Sequence, residues 1–176
     1  LDGRLVQLGA AALVSGQTDS ERVFALITAE TARHGGDVTA GLVAAINWIS
    51  EHLPVYSLNV VLSTATELWA LRYPEANELW VLQRPASRSG RGHPLDAQTD
   101  RIHVRSTSLA GGPSVILASE PMDGDRRWRL LSSSELLHIA EDLTVTTSTS
   151  FPDPPAHQLS MSDLAATAAA SQQATP

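Results

Sequence analysis

The hydrophobic pattern changes period once, at Pro54, and that single switch constrains the fold most. Before it the spacing is helical. Thr18-Asp19-Ser20-Glu21 reads as a capping box, in which Thr18 accepts from the backbone three residues on and Glu21 reaches back. Val23, Phe24, Ile27 and Glu30 follow at helical spacing, and Leu26 widens the apolar face. Gly35-Gly36 supplies the left-handed ending. Asp37 opens a second helix with Val38, Leu42, Ile46 and Ile49 on one face, closed by Pro54. So short a connection predicts two helices packed antiparallel. After Pro54 the spacing predicts strands over 56–63, 67–73, 78–84, 101–107, 114–120, 136–141 and 143–149, with a polar loop over 85–100. Two adjacent helices followed by about seven strands predict an α+β fold with mostly antiparallel strands, not alternating βαβ units.

The strands raise a difficulty. Val60-Val61-Leu62 and Val115-Ile116-Leu117 place apolar side chains on both faces of their sheet. Such strands need cover on both sides. Two helices cover one face, so a further layer is expected from outside this chain, most simply from residues preceding Leu1. The chain opens without methionine or any signal-like segment, which reads as the C-terminal portion of a longer domain covering residues 1–149. Residues 150–176 read as a Pro/Ala/Ser/Thr-rich tail. A short helix over 161–170 is compatible with it, capped by Ser160 or Ser162, at a terminus expected to fray.

Composition removes several chemistries. There is no cysteine, hence no disulfide, no thiolate metal site and no cysteine nucleophile within these residues. All 12 basic residues are arginine, so Schiff-base and Walker lysines are excluded. The formal charge of −7 disfavours general nucleic-acid binding. No apolar run is long enough to span a bilayer, and a cytoplasmic location is expected.

The candidate constellations are sparse. His34 and His52 end the two helices, where a positive charge suits the dipole. His103 and His138 fall in strands with structural roles expected, and His93 and His157 fall in loops. None has metal-ligand spacing. Arg84, Arg88 and Arg91 lie among Ser and Gly without interleaved aromatics, which reads as a solvated loop and not as an RNA contact. Glu120-Pro121-Met122-Asp123-Gly124-Asp125 is acidic but lacks the alternating ligands of a calcium loop. Asp19 has two readings. It caps the first turn of its helix, or it points into a pocket and pairs with an ammonium group. Periodicity alone does not choose.

From Thr18-Asp19-Ser20-Glu21 onward the sequence resembles the class II glutamine amidotransferase domain, an N-terminal-nucleophile hydrolase. The matching features are that box, the Gly-Gly break, and Leu58-Asn59-Val60-Val61-Leu62-Ser63. They continue with Glu67-Leu68-Trp69-Ala70-Leu71-Arg72-Tyr73, Val115-Ile116-Leu117-Ala118-Ser119-Glu120-Pro121-Met122-Asp123, Trp128 and Leu136-Leu137-His138-Ile139. The Ala118–Asp123 segment and Arg72-Tyr73 look most like the branch that acts in ergothioneine biosynthesis.

The resemblance implies a four-layer αββα sandwich and hydrolysis of a γ-glutamyl amide, with γ-glutamyl hercynylcysteine sulfoxide as the substrate of that branch. Asp19 matches the aspartate that holds the substrate's α-amino group, and Thr18 and Ser20 flank it as substrate-binding candidates. Glu120 is assigned a structural role. No metal or organic cofactor is implied. The family's N-terminal cysteine, its substrate-carboxylate arginine and its Asn-Gly oxyanion pair have no counterpart here, and Leu1 has no lone pair to attack with. The expectation is therefore half a binding site, an inactive chain by itself, and a partner in the missing upstream segment of the same domain. A non-catalytic interaction or scaffold subunit of the same sandwich ancestry is the alternative. Oligomeric state is open at this stage.

Overall fold

A computed structural model describes residues 1–86, 95–98, 103–107, 112–149, 151–152 and 154–172. They divide into two compact units, Leu1–Tyr56 with Ser150–Pro176, and Ser57–Thr149.

The first unit is helical. It holds α1 (Asp2–Gln7), a 3-10 turn (Ala11–Leu13), α2 (Asp19–Arg33), α3 (Val38–His52), a second 3-10 turn (Met161–Asp163) and α4 (Ala166–Gln172). Both expected long helices form with the expected caps. Thr18 accepts from Glu21 N, and Asp37 accepts from Ala40 N. The break between them is a Schellman ending: Gly35 and Gly36 have φ of +67° and +93°. Gly36 N donates to Thr31 O at 2.9 Å, and Gly35 N to Ala32 O at 3.2 Å. The apolar faces of the helices are largely as spaced, with Leu26, Ile27, Leu42, Ile46 and Ile49 buried. Phe24 is not among them. It is 56 % exposed and shares the outer side of α2 with Thr28, whose hydroxyl bonds its carbonyl.

Gly41 sets how closely α2 and α3 pack. A Cβ there would lie 2.5 Å from the Thr31 Cα and N, so only glycine fits. α1 is tied to α2 by charge. Arg4 Nη2 meets the buried Glu30 carboxylate at 2.7 Å, Arg33 approaches it at 3.4 Å, and the Arg4 guanidinium lies over the Trp48 ring. The two guanidinium groups offset the cost of taking this carboxylate out of water. Residues 155–159 are held against the end of α3. Ala156 N donates to Ser50 O, Val55 N to His157 O and Leu159 N to Val55 O.

The second unit is all β. Its strands are β1 (Val60–Ser63), β2 (Leu68–Arg72), β3 (Trp80–Arg84), β4 (Leu95–Gln98), β5 (His103–Ser106), β6 (Ser114–Ala118), β7 (Arg129–Leu130), β8 (Glu135–Ile139) and β9 (Val145–Thr149). They form antiparallel sheets of order β1-β2-β8-β9, β6-β3-β7 and β4-β5.

The first two sheets share a core. Ala70, Leu137, Leu68 and Val145 from one meet Val81, Val115 and Leu117 from the other, with Leu79 and Leu131. The opposite face of the second sheet has its own cover, as Leu82, Trp80, Ile116 and Ala118 pack with Met122, Trp128 and Val104. Both faces of Val115-Ile116-Leu117 are therefore covered by residues of this unit, whereas Val60-Val61-Leu62 contributes to neither cluster and Val61 is 55 % exposed. The whole is an α+β fold with two adjacent helices ahead of antiparallel sheets.

Three boundaries differ from the spacing, each for a physical reason. The strand read over 56–63 begins only at Val60, because the Asn59 side chain takes over the ladder. Its Oδ1 accepts from Tyr73 N, and its Nδ2 donates to the carbonyls of Asn77 and Glu78. Part of the loop read over 85–100 is β4, paired with β5; Arg88 and Arg91 lie outside the described residues. The two-residue β7 is too short for periodicity to register.

Arg72 clasps this unit. Its guanidinium donates to the carbonyls of Asn77, Leu131 and Glu75, at 2.9, 2.7 and 2.7 Å. Its own carbonyl accepts from Ser134 N at 2.9 Å, where Ser134 has a φ of +63°. Next to it, the buried Glu135 accepts from Arg129 on both oxygens and from Ser132 N. Burial pushes the Glu135 carboxyl up, yet the Arg129 and Ser132 bonds outweigh it and hold the group below its ordinary 4.5.

Two outcomes follow. Alanine is the better helix former by about 1 kcal/mol, but Gly41→Ala is expected to cost roughly 1–3 kcal/mol net in urea unfolding because the helices must part. Gly124→Ala, with nothing near its Cβ, serves as the control. Since the folded Glu135 pKa is lowered, its stabilisation is complete above the ordinary carboxylate range and is lost as pH falls through the lowered value. Arg129→Met is expected to move the acid-unfolding midpoint to higher pH in a circular-dichroism titration.

Candidate functional site

The three residues singled out for binding, Thr18, Asp19 and Ser20, sit together at the start of α2. The chain approaches through residues 15–17, and Glu21 fixes that approach. Its carboxylate accepts from Ser15 N at 2.7 Å and Gly16 N at 2.8 Å. The expected capping box is therefore half-formed. Thr18 Oγ1 accepts from Glu21 N at 3.3 Å, but the Glu21 side chain serves the loop and not Thr18 N. A Cβ at Gly16 would sit 2.7 Å from Glu21 Oε2, so a larger residue there makes the carboxylate shift. Arg22 closes the other side, donating to Thr18 O and to Asp2 Oδ1.

Within this frame Asp19 is exposed. Its Oδ1 accepts from Ser20 N at 2.7 Å and lies 3.4 Å from Ser20 Oγ. Among the described residues its Oδ2 has no hydrogen-bond partner. Chemically, the arrangement offers one oriented carboxylate oxygen to a cation or a hydrogen-bond donor. The Thr18 hydroxyl is occupied by its cap, and Ser20 retains a rotatable hydroxyl.

The other described sequence candidates have structural partners, and His93 lies outside the described residues. His34 and His52 each bond a last-turn carbonyl through Nδ1, to Glu30 O at 2.7 Å and Trp48 O at 2.9 Å. His103 meets Asp96 at 2.9 Å across β4 and β5. In the acidic segment, Asp123 Oδ1 accepts from Trp128 Nε1 at 2.8 Å and Asp125 N at 3.0 Å, which closes the loop over Leu82. Asp125 is hydrogen-bonded by the Arg127 side chain and backbone, which pull its carboxyl down to about 2. Glu120 is half-buried beside them.

One cluster escaped periodicity. His138 stacks on Trp69 with centroids 4.9 Å apart, and its Nε2 lies 3.4 Å from Glu67 Oε2. The Trp69–His138 pairing of β2 with β8 creates it, and only the register reveals it. Among the described residues no group of three or more His, Cys, Asp or Glu side chains is placed to hold a metal, and no helix is long and apolar enough to cross a membrane.

Solved structures resemble this architecture. A predicted glutamine amidotransferase from Pseudomonas aeruginosa PA01 aligns with a TM-score of 0.59 at 17 % identity, over 76 % of this chain and 51 % of that one. A glutamine aminotransferase class-II domain protein from Silicibacter pomeroyi aligns with a TM-score of 0.55 at 20 % identity, over 89 % of this chain and 62 % of that one. The chain has a class II glutamine-amidotransferase-like fold. At these identities the likeness is one of fold, and the chain spans roughly half to three-fifths of the length of the structures it matches. No family model and no curated protein matches it.

Thr18→Ala is expected to cost about 1 kcal/mol in urea unfolding, the worth of a lost N-cap. Removing the Asp19 carboxylate as Asp19→Asn is expected to change stability by less than about 0.5 kcal/mol, because the group is exposed.

Proposed function

We propose that this chain is the substrate-side portion of a γ-glutamyl amidohydrolase domain, with Asp19 receiving the α-amino group of the glutamyl moiety. The observation that carries the reading is the amidotransferase-like fold combined with an open carboxylate oxygen at the first position of α2. The Ser20 N–H holds Oδ1, which orients the group and leaves Oδ2 to a substrate ammonium. Ser20 contributes through that backbone bond and Thr18 by shaping the helix start.

The reaction needs a nucleophile to attack the γ-carbonyl, donors for the resulting oxyanion, and a base that passes its proton to the departing amine. Water then releases glutamate. With no cysteine in 176 residues, this reading assigns the nucleophile and its oxyanion donors to an upstream segment of the same domain. The proposed substrate is γ-glutamyl hercynylcysteine sulfoxide, in a cytoplasmic setting, on the resemblance of Arg72-Tyr73 and 118–123. Those residues act on the fold, since Arg72 binds three backbone carbonyls and Asp123 secures Trp128. The missing cysteine also favours a second reading, a non-catalytic interaction subunit of the same ancestry.

The decisive experiment assays glutamate release from γ-glutamyl conjugates, first with this chain and then with the polypeptide extended upstream in its reading frame. The chain alone is expected to release none, and the extended form to release glutamate. Asp19→Asn in the extended form is expected to raise KM by roughly 10- to 100-fold with kcat nearly unchanged, the cost of a charge-assisted bond. An extended protein that cleaves no such conjugate overturns the proposal in favour of the interaction subunit, and an unchanged KM removes Asp19 from it.

A further inference from the structure

The first turn of a helix leaves backbone N–H groups without partners in the helix itself. At the start of α2, neighbouring side chains take up Ser20 N, which donates to Asp19 Oδ1 at 2.7 Å, and Glu21 N, which donates to Thr18 Oγ1 at 3.3 Å. The second bond is longer than the usual range, and the Glu21 side chain adds a firmer hold. Its Oε1 accepts from Ser15 N at 2.7 Å and its Oε2 from Gly16 N at 2.8 Å. Amide bonds to an ionised carboxylate are shorter and about twice as strong as neutral ones. Among the described residues, those amides bond to nothing else.

Both Glu21 bonds reach back past Thr18 and Asp19. They close the chain into a loop from residue 15 to residue 21, with the extended Thr18 (φ −80°, ψ 149°) at its corner. Asp19 lies within that loop, and the aim of its carboxylate depends on the bond from Ser20 N. That bond keeps its geometry only while the first turn is wound. We propose that Glu21 is a positioning residue for Asp19. By pinning Ser15 and Gly16 it keeps the first turn wound, and so keeps the Ser20 N–H where it orients the Asp19 carboxylate. This rests on the reading of Asp19 as the ammonium-binding group. It adds that affinity for an amine-bearing substrate depends on a second carboxylate that never touches it.

Arg22 does not replace this hold. It donates to Thr18 O and Asp2 Oδ1, so it grips a carbonyl and leaves the Ser15 and Gly16 amides to Glu21. Without the Glu21 carboxylate those donors lose their partner and the entry loop is free to move. The first turn then frays, and the Asp19 oxygens are no longer fixed before a ligand arrives. Ordering them falls to the binding step, which weakens it. The reacting bond is not touched by this change, so the loss is one of affinity.

In the chain itself, NMR follows the Ser20 amide proton, whose shift responds to protonation of the Asp19 carboxylate that it bonds. Glu21→Ala is expected to reduce that response by about half or more as the turn frays, and to remove exchange protection from the Ser15 and Gly16 amides. Glu21→Gln keeps one acceptor and is expected to fall between, and it serves should Glu21→Ala fail to fold. In the polypeptide extended upstream, with γ-glutamyl p-nitroanilide as the probe, Glu21→Ala is expected to raise KM roughly three- to tenfold with kcat nearly unchanged, the cost of ordering one side chain. On an Asp19→Asn background it is expected to raise KM no further, since the two residues act as a unit. An unchanged Ser20 response overturns the proposal, whatever the extended form does. So does a KM effect that persists in full on the Asp19→Asn background, or a fall in kcat with KM unchanged. An extended form that releases nothing from this or any other γ-glutamyl conjugate overturns the functional reading instead, and the Ser20 amide alone then decides whether Glu21 positions Asp19.

Discussion

Burial of a sheet on both faces is the constraint on which residues 57–149 depend. β6, an apolar strand between two layers, leaves neither face to solvent, and an uncovered apolar face forgoes about 25 cal/mol per Å² of stabilisation. The second unit meets this with one sheet laid on another and a loop laid on the second. Val81, Val115 and Leu117 look inward, while Leu82 and Ile116 look out toward Met122 and Trp128. Asp123, Asp125 and Arg127 belong to that cover. They hold the loop so that the indole and thioether stay in place. The clasp of Arg72 has the same purpose at the other end, where its guanidinium satisfies carbonyls that turns leave unpaired.

The functional reading rests on less surface. One helix start presents a carboxylate to solvent, and the neighbouring polar groups hold the backbone in position. Glu21, Arg22 and Thr18 all spend their hydrogen-bonding capacity on the loop and the first turn. Asp19 is the exception, with one oxygen uncommitted. That contrast, not the acidity of the segment, gives the position its meaning.

Much of the architecture was legible because local chemistry was decisive. Asp37 and Thr18 read as caps, Gly35-Gly36 as a left-handed ending, and the alternation after Pro54 as strands, and each took the expected form. Signals that depend on partners distant in sequence were not legible. Asn59 ends a strand by bonding Tyr73, Asn77 and Glu78, and nothing in its neighbours announces it. The Glu21 carboxylate fits a capping box by spacing, yet the loop before it offers two better donors. α1 has too few apolar residues to show a period and is anchored by Arg4 to a glutamate 26 residues away. The stacked Trp69 and His138 are neighbours only through register.

The helical unit is assembled from two separated stretches, joined by backbone hydrogen bonds of residues 156–159 to Ser50 and Val55. A ribosome delivers those residues only after the whole β unit has emerged. The intervening 57–149 stretch contains both partners of each of its strand pairs among the described residues, so its sheets can pair before residues 156–159 emerge. Only the bonds between residues 156–159 and the end of α3 need closure across nearly a hundred residues, a connection whose entropy cost grows only slowly with its length. The first stretch of this polypeptide is thus completed by its last, with the sheets held between them in sequence.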